Sequence, residues 1–325
     1  MELLLIAAGT LVLIVSSNIA SSKKRGSHWL TTVWMFINLA TFLCGALLLL
    51  SSLLPLSPFF SHSPPTLPGI ILMMASLMSS LLLFSAVRKR LSRWIDIDVS
   101  STVHLTALSL SLYLLAWSLL NVAWMGGIEG LREEAETVSV VMLLLQSAVL
   151  VLVAFLGVGM GTRRSMREVV ERLGLHRLEW VHLLIAGVTL VIMVVLNFVV
   201  AGLWMLLAPE QVEAISQISQ SMLGNFDSVP AIILLAVLSG FSEEVLFRGA
   251  LQPRMGLFLT SLLFAGTHVQ YSISPATLLV LVIGIVLGIL RRFFGTWTSI
   301  ITHFGYNLSL LLLGMLGSRL LEVLG

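Results

Sequence analysis

The sequence predicts an all-α membrane protein, a polytopic bundle of about ten transmembrane helices. Its 325 residues are 58% hydrophobic and only 10% charged, and their mean hydropathy is +1.03. Charged residues make up about a quarter of a soluble domain, so this composition indicates a chain that lies largely in lipid. A spanning helix needs about 20 apolar residues. Ten apolar segments approach or reach that length, at roughly 3–21, 29–53, 69–87, 103–126, 138–160, 181–207, 229–250, 256–273, 276–290 and 297–316.

The lysines and arginines divide unevenly between alternate connections. One side of the predicted membrane carries 16 of the 18 basic residues, and the other carries only Arg132 and Arg319. Such an excess is typical of cytoplasmic loops. The sequence therefore predicts an integral multi-pass protein with an even number of spans, both termini outside and the basic loops in the cytoplasm. The 16 residues are Lys23, Lys24, Arg25, Arg88, Lys89, Arg90, Arg93, Arg163, Arg164, Arg167, Arg172, Arg177, Arg248, Arg254, Arg291 and Arg292.

The most basic connection divides the chain. Residues 1–161 form an N-terminal transmembrane region of unknown role, 162–180 a cytoplasmic basic connection, and 181–325 a second transmembrane region. The connection, TRRSMREVVERLGLHRLEW, mixes basic and apolar residues. This pattern fits either an interfacial helix on the inner leaflet or a solvated basic loop.

A second connection, PEQVEAISQISQSMLGNFDSVP at 209–230, has apolar residues at helical intervals. Val212, Ile215, Ile218 and Met222 would share one face of a helix. We predict a helix resting on the outer surface, and one interpretation is a lid over a cavity.

Two acidic residues lie inside an apolar segment. The stretch GFSEEVLFRG at 240–249 places Glu243 and Glu244 there, whereas the other acidic residues lie in loops, at chain ends or at segment edges. An ionised side chain at bilayer depth costs roughly 2.5–3.5 kcal/mol even on the lenient insertion scale, and such residues mark functional sites. Glu244 and Arg248 are four residues apart and can pair on one helical face. Glu243 has Phe247 at the same spacing, so this pairing leaves it unexplained.

Other polar residues accompany the glutamates on later segments. FAGTH places His268 one turn after Phe264, and THFGYN places His303 and Asn307 four residues apart on one face. A lone intramembrane histidine often serves as a helix-to-helix hydrogen bond, but a glutamate, two histidines and an asparagine together favour chemistry.

That chemistry is hydrolysis. Glu243 and His268 can hold and deprotonate a water molecule, while His303 and Asn307 can donate hydrogen bonds to a developing oxyanion. Alternatively, Glu243, His268 and His303 can hold a zinc ion with an open position for water. The residues leave both schemes open. The single cysteine, Cys44, excludes a CxxC metal site and a disulfide within the chain.

The blocks EExxxRG (Glu243, Glu244, Arg248, Gly249), FxxxH and HxxxN, in this order on late apolar segments, resemble the CPBP family. This family comprises the CAAX proteases and bacteriocin-processing enzymes, also called the Abi family, and includes the Ras-converting prenyl-protein endoprotease. The resemblance covers about residues 180–316.

The resemblance implies a role for each residue of the three blocks. Glu243 looks like the catalytic base acting with His268, and His303 and Asn307 look like the oxyanion-stabilising pair. Glu244 and Arg248 look like supporting residues. Family members have been described both as metalloproteases and as metal-free glutamate proteases. The resemblance therefore leaves open whether zinc is a cofactor.

The segment boundaries conflict with a shared site. As drawn, they place Glu243 toward the cytoplasmic end of its segment and His268 toward the outer end of the next, too far apart in depth to share a water. Extension of segment 229–250 to about Arg254 would place Glu243 nearer the middle.

The leading hypothesis is an intramembrane endopeptidase that cuts a membrane-associated protein or peptide. A proton-coupled transporter with Glu243 and His268 as a relay and a catalytically silent binding or immunity protein are the alternatives. We expect the lipid bilayer and a protein or peptide substrate as partners, and no nucleic acid.

Overall fold

The computed structural model describes residues 2–22, 27–53, 66–175 and 178–324, and this part of the chain is helical, with no strands. Nine of its helices are long and apolar enough to cross a membrane. The predicted all-α polytopic bundle is therefore confirmed, and the chain is an integral multi-pass membrane protein.

The first five apolar segments fold with short connecting helices into the N-terminal part of the bundle. The helices are α1 (Glu2–Ser22), α2 (Ser27–Leu53), α3 (Thr66–Leu83), α4 (Ser85–Leu91), α5 (Thr102–Met125), α6 (Ile128–Glu134), α7 (Val140–Gly157) and α8 (Met166–Arg172).

The remaining five apolar segments and their connections form the C-terminal part of the bundle, which packs against the N-terminal part. The helices are α9 (Trp180–Leu207), α10 (Pro209–Leu223), α11 (Val229–Glu244), a π-helix (Val245–Leu251), α12 (Gln252–Met255), α13 (Leu257–Gly266), a 3₁₀-helix (Val269–Tyr271), α14 (Pro275–Phe294) and α15 (Thr296–Leu324). The predicted N-terminal and C-terminal regions share hydrophobic clusters, since Leu105 and Leu108 pack with Phe247 and Phe264.

Local sequence explains where several helices begin and end. The side chain of Ser101 accepts a hydrogen bond from the backbone of His104 at the start of α5, and Ser139 does the same for Met142 at the start of α7. Helix α5 ends at Gly126 in a left-handed conformation. These caps satisfy backbone groups that a helix end otherwise leaves unpaired.

Two glycines make the sharp turns between C-terminal helices. Gly256 joins α12 to α13 with φ of 79°, and Gly295 joins α14 to α15 with φ of 86°. Side chains are disfavoured at such φ values. Each glycine therefore lets one helix reverse directly into the next.

Basic residues from several connections meet at one end of the bundle. Arg163 contacts Ser21 at the end of α1, and Arg254 pairs with Asp96 before α5. Arg172 and Arg291 both reach the backbone of the π-helix. We call this the basic end. Its position on the cytoplasmic side of the membrane stays a prediction.

The apolar segment 256–273 differs from its prediction, because its helix, α13, ends at Gly266. Ten helical residues span roughly 15 Å, half of a bilayer core. The chain nevertheless continues to the other end of the bundle, because Gly256 lies beside Ile95 at the basic end and Tyr271 packs with Ile215 of α10. This eighth segment therefore passes along the bundle as a short helix followed by turns.

The basic connection, for which the sequence left an interfacial helix and a solvated loop open, contains the short helix α8. Val169 of α8 and Leu173 directly after it are fully buried against the protein core, so these apolar residues face protein rather than lipid. The helix predicted in 209–230 also forms, as α10. In α10, Ile215 and Ile218 pack against Leu131 and Trp204. The basic residues Lys23, Lys24, Arg25 and Arg177 lie outside the described part of the chain.

Candidate active site

The two glutamates lie near the middle of one continuous helix. Helix α11 runs through the π-helix into α12 and ends at Met255, so the longer of the two predicted boundaries is correct. The π-helix begins directly after Glu244. Such wide turns are rare and occur frequently at functional sites.

Glu243 and His268 are placed at similar depth by the turn at Gly256. Glu243 precedes this glycine by 13 residues and His268 follows it by 12 on the returning chain. At 1.5 Å per helical residue, each lies roughly 18 Å from the turn. The conflict in depth therefore came from ending segment 229–250 too early, since the span continues to Met255 and places Glu243 near its middle.

The predicted pair between Glu244 and Arg248 is confirmed. Arg248 Nε donates to Glu244 Oε2 at 3.2 Å, and both side chains are completely buried. The guanidinium also lies over the ring of Phe264, 4.9 Å from its centroid. The two charges thus compensate each other in a position where either charge alone would be costly.

Glu244 also contacts one of the two candidate histidines, His303. Nδ1 of His303, on α15, lies 3.1 Å from Glu244 Oε1. The sequence did not predict this contact, since it pairs His303 with the supporting glutamate. Because Nδ1 is engaged, Nε2 is the ring nitrogen left to meet a substrate.

Asn307 lies one turn further along α15, and its side-chain amide donates to Ser239 Oγ at 3.0 Å. Between these two contacts, α11 and α15 approach closely at Gly240. A Cβ at this position would lie 2.9 Å from the backbone nitrogen of Phe304. A glycine is therefore needed here for the two helices to meet.

His268 follows the end of α13 and packs beside Phe264. Its Nδ1 lies 2.8 Å from the carbonyl oxygen of Phe264, and its ring is stacked with that of Tyr271. The Phe264 ring also contacts the ring of His303 edge-on, with centroids 5.7 Å apart. Phe264 is thus the shared neighbour of His268, His303 and Arg248.

Glu243 differs from its neighbour in both burial and pairing. Its side chain is partly exposed, yet Oε2 is buried and has no hydrogen-bond partner within the described protein. A carboxylate oxygen that accepts no hydrogen bond from the protein is available to water or a substrate.

The residues proposed as zinc ligands do not form a metal-binding group. In the described ranges, no three His, Cys, Asp or Glu side chains converge closely enough to hold a metal ion. His303 Nδ1 is directed at Glu244 and His268 Nδ1 at a backbone carbonyl. The alternative of zinc held by Glu243, His268 and His303 therefore does not fit this arrangement, and we derive no step through a metal.

Two arginines that the sequence did not single out support the π-helix. Arg291 Nε donates to the carbonyl of Arg248 at 3.0 Å, and Arg172 Nη1 donates to the carbonyl of Gly249 at 3.2 Å. Both residues count toward the charge asymmetry, but only the fold brings them to this backbone.

The structure thus places Arg248, His268 and His303 around Phe264, and Glu244 joins Arg248 to His303. Glu243 precedes Glu244 on the same helix, and Asn307 lies one turn beyond His303. Ser239, Gly240, Arg172 and Arg291 are additional supporting residues. Of these four, only Ser239 could have been inferred from the sequence, because it lies four residues before Glu243 on the same helical face.

Comparison with known proteins gives a family for the segment that carries the site. Residues 225–309 match the family model described as Rce1-like, type II CAAX prenyl endopeptidase Rce1-like. This segment contains all eight residues of the three sequence blocks. The resemblance to the CAAX proteases is therefore confirmed for this part of the chain.

A shorter similarity connects the chain with the uncharacterized protein YpbD of Bacillus subtilis (strain 168). The two are 40% identical over 80 residues, which are 24% of this chain and 42% of that protein. The match thus covers less than half of the relative's length. No solved structure matches the chain.

Proposed function

We propose that this protein, similar over residues 225–309 to the Rce1-like CAAX prenyl endopeptidases, is an intramembrane endopeptidase that hydrolyses a peptide bond of a membrane-associated protein or peptide. The assembly of three separate sequence blocks around Phe264 carries this proposal. A buried charged pair that also holds a histidine is costly to maintain and is typical of a functional site.

The two adjacent glutamates support different roles. Glu244 is engaged with Arg248 and His303, whereas Glu243 keeps a buried oxygen without a protein partner. We assign Glu243 as the general base and Glu244 as the positioning residue that holds His303.

His268 can share the water with Glu243. A carbonyl oxygen can only accept, so the contact with Phe264 requires that His268 Nδ1 carries a proton. In the neutral ring, Nε2 then has a free lone pair. This nitrogen can accept a hydrogen bond from the attacking water and orient it.

His303 and Asn307 can stabilise the intermediate. The water oxygen attacks the carbonyl carbon of the peptide bond while its proton passes to Glu243, and negative charge develops on the carbonyl oxygen. His303 Nδ1–H donates to the Glu244 carboxylate, so Nε2 carries a proton only in the imidazolium form, which the negative charge of Glu244 stabilises. Nε2–H of this imidazolium and the second amide hydrogen of Asn307 are the donors for the oxyanion, a contribution of about 2.7–4 kcal/mol per donor in a well-studied protease. The intermediate then expels the amine, which takes the proton from Glu243, and leaves a carboxylate.

The test compares Glu243→Gln with the wild type, both purified and reconstituted in lipid, on a peptide library. We expect cleavage by the wild type and a loss of about 10²–10⁴-fold in the variant, the usual contribution of a general base. The substitution keeps the size of the side chain, so folding should be unaffected, and circular dichroism checks this.

A parallel reaction contains a chelator. Retained activity with the chelator supports the metal-free scheme, and its loss would require a metal. Equal cleavage by variant and wild type would contradict the role of Glu243. No cleavage by a well-folded wild type would favour the transporter or binding alternatives.

A further inference from the structure

Four arginines meet at the basic end beside the C-terminal half of the π-helix. They are Arg164, Arg172, Arg254 and Arg291, and they come from three different parts of the chain. Arg172 and Arg291 hold the adjacent carbonyls of Gly249 and Arg248, Arg254 lies at the end of the same helix, and the charges of Arg254, Arg164 and Arg291 all act on Arg172. We call them the arginine cluster. The proposed hydrolysis does not use this cluster, although two of its members support the π-helix.

The contacts of these arginines leave most of their charge uncompensated. Arg172 and Arg291 donate to the backbone carbonyls of Gly249 and Arg248, and Arg164 donates to that of Val158. These partners are neutral. Arg254 alone has a carboxylate partner, Asp96, at 2.5 Å.

The acidic residues of α8 are engaged elsewhere. Glu168 accepts hydrogen bonds from the backbone and hydroxyl of Ser165, and Glu171 pairs with the exposed Arg167. Asp98 also acts on Arg254 and Glu168 on Arg164, but each of these carboxylates already accepts hydrogen bonds from a serine, and Arg163 adds a further positive charge beside Arg164. The cluster therefore keeps a net positive charge.

The crowding of charge is visible at Arg172. Burial, and then the positive charges of Arg254, Arg164 and Arg291, lower the pKa of Arg172 to about 10, and Asp96 acts in the opposite direction. The group still carries its charge at neutral pH, so the four arginines repel one another. An anion held between them would relieve this repulsion.

The depth of the cluster is that of a lipid headgroup. Arg254 is the last residue but one of the span Val229–Met255, and Arg291 lies in the last turn of α14. Arg172 ends α8, shortly before α9 enters its span. Ends of spanning helices lie at the boundary between hydrocarbon and headgroups, where lipid phosphates are found.

We propose that the arginine cluster is a binding site for the phosphate group of an anionic phospholipid. The planar guanidinium forms paired hydrogen bonds with phosphate oxygens, and basic pockets between spanning helices bind lipid headgroups. The uncompensated charge, the crowding and the depth each point to this ligand.

Two arginines of the proposed lipid site also contact the backbone of the π-helix. Arg172 and Arg291 hold the carbonyls of Gly249 and Arg248, and Arg248 in turn pairs with Glu244. A bound phosphate would fix the two guanidinium groups and thereby stabilise the wide turn. This effect on stability does not depend on hydrolysis.

The test measures thermal unfolding of the full-length, delipidated protein in a neutral detergent. Phosphatidylglycerol, phosphatidylcholine and inorganic phosphate are titrated separately. We expect the unfolding temperature to rise with phosphatidylglycerol alone, since a ligand that binds the folded state raises stability with its concentration. The titration yields an apparent affinity.

Arg254→Gln tests the site without removing a backbone contact. We expect it to weaken the apparent affinity for phosphatidylglycerol about fivefold, as the loss of one basic residue near an anionic surface would. Arg172→Gln should weaken it at least as much if the variant folds. Arg167→Gln is the matched control, since this exposed arginine lies in the same helix as Arg172 and, within the described ranges, forms its ion pair with Glu171. This variant should bind as the wild type does.

Three results would overturn the proposal. They are equal stabilisation by phosphatidylcholine, unchanged affinity of Arg254→Gln, and equal stabilisation by inorganic phosphate without lipid. The last result would indicate a free phosphate site instead of a headgroup site. Since unfolding is measured rather than cleavage, the outcome is independent of the proposed endopeptidase activity.

Discussion

The N-terminal helices and the candidate site both bury polar side chains inside an apolar bundle, but they bury different kinds. Among the described residues, the buried polar side chains of α1–α7 are serines, threonines and asparagines, all neutral. The C-terminal part adds Glu244, Arg248 and His303, which can carry charge.

The neutral group forms a layer between α1, α2 and α5. Thr106 shares a hydrogen bond with Ser17 at 2.7 Å and accepts one from the indole of Trp34 at 3.2 Å. Tyr113 donates to Asn38 at 2.8 Å. Contacts of this kind hold helices together in membranes at little cost.

This contrast separates polar residues that hold a membrane protein together from those that take part in its chemistry. Neutral side chains satisfy one another without a large desolvation penalty. Charged side chains pay that penalty and are retained where function requires them. Stability and activity should therefore respond differently to substitutions in the two regions.

Glu244→Gln should have the largest effect. It leaves the buried Arg248 without its carboxylate, and such a change costs about 3–5 kcal/mol of unfolding free energy. Unfolding in increasing SDS, followed by circular dichroism, measures this loss. The double variant Glu244→Gln/Arg248→Met removes both charges and should regain much of the stability but no cleavage. A double variant as unstable as the single one would contradict this account.

Gly240→Ala should have the second-largest effect on stability. The added methyl group would meet the backbone of Phe304 and push α11 from α15, a strain of about 1–3 kcal/mol. The contacts of His303 and Asn307 across this interface should weaken, so cleavage should fall with stability. Gly202→Ala in α9 is the control, because a Cβ there meets nothing within 4 Å. Equal behaviour of the two alanine variants would refute a close approach at Gly240.

Thr106→Val should lower stability by about 0.6–1.7 kcal/mol, the range for hydrogen bonds between membrane helices. It removes the shared partner of Ser17 and Trp34 and keeps the side-chain shape. Cleavage per folded molecule should equal that of the wild type, as measured at saturating substrate. A large loss of cleavage would show that the neutral layer also serves the site.

Ser239→Ala should have the smallest effect on stability, about 0.6 kcal/mol, since it removes one partly buried hydrogen bond to Asn307. Its effect on cleavage should be larger, roughly tenfold in kcat with little change in KM, because Asn307 loses its fixed orientation. Steady-state kinetics separate the two parameters. An unchanged kcat would mean that Ser239 does not position Asn307.

The sequence predicted the helices well because hydropathy and helical spacing are local properties. The segment at 181–207 became Trp180–Leu207, and the spacing of Glu244 and Arg248 predicted their pair. The segment 256–273 was misjudged for a physical reason. Hydropathy does not report whether an apolar stretch is helical, and protein-buried backbone can leave the helix inside a bundle.

Contacts between helices could not be predicted from the sequence alone. Spacing alone did not indicate that His303 would meet Glu244 rather than Glu243, because the choice depends on how closely Gly240 lets α11 approach α15. The contacts of Arg172 and Arg291 with the π-helix have the same origin, since each joins residues more than 40 positions apart.

The π-helix sets the angular phase of the helix that contains it. Before it, Ser239 and Glu244 face α15; after it, Gln252 donates to Gly288 of α14 and Arg254 pairs with Asp96 ahead of α5. A regular α-helix turns about 100° per residue. The π-helix has more residues per turn, so each of its residues contributes a smaller rotation about the helix axis. Residues 245–251 therefore set the rotation of the second packed face relative to the first. Deletion of one residue there would rotate the basic end relative to the glutamates without changing the identity of any side chain on either face.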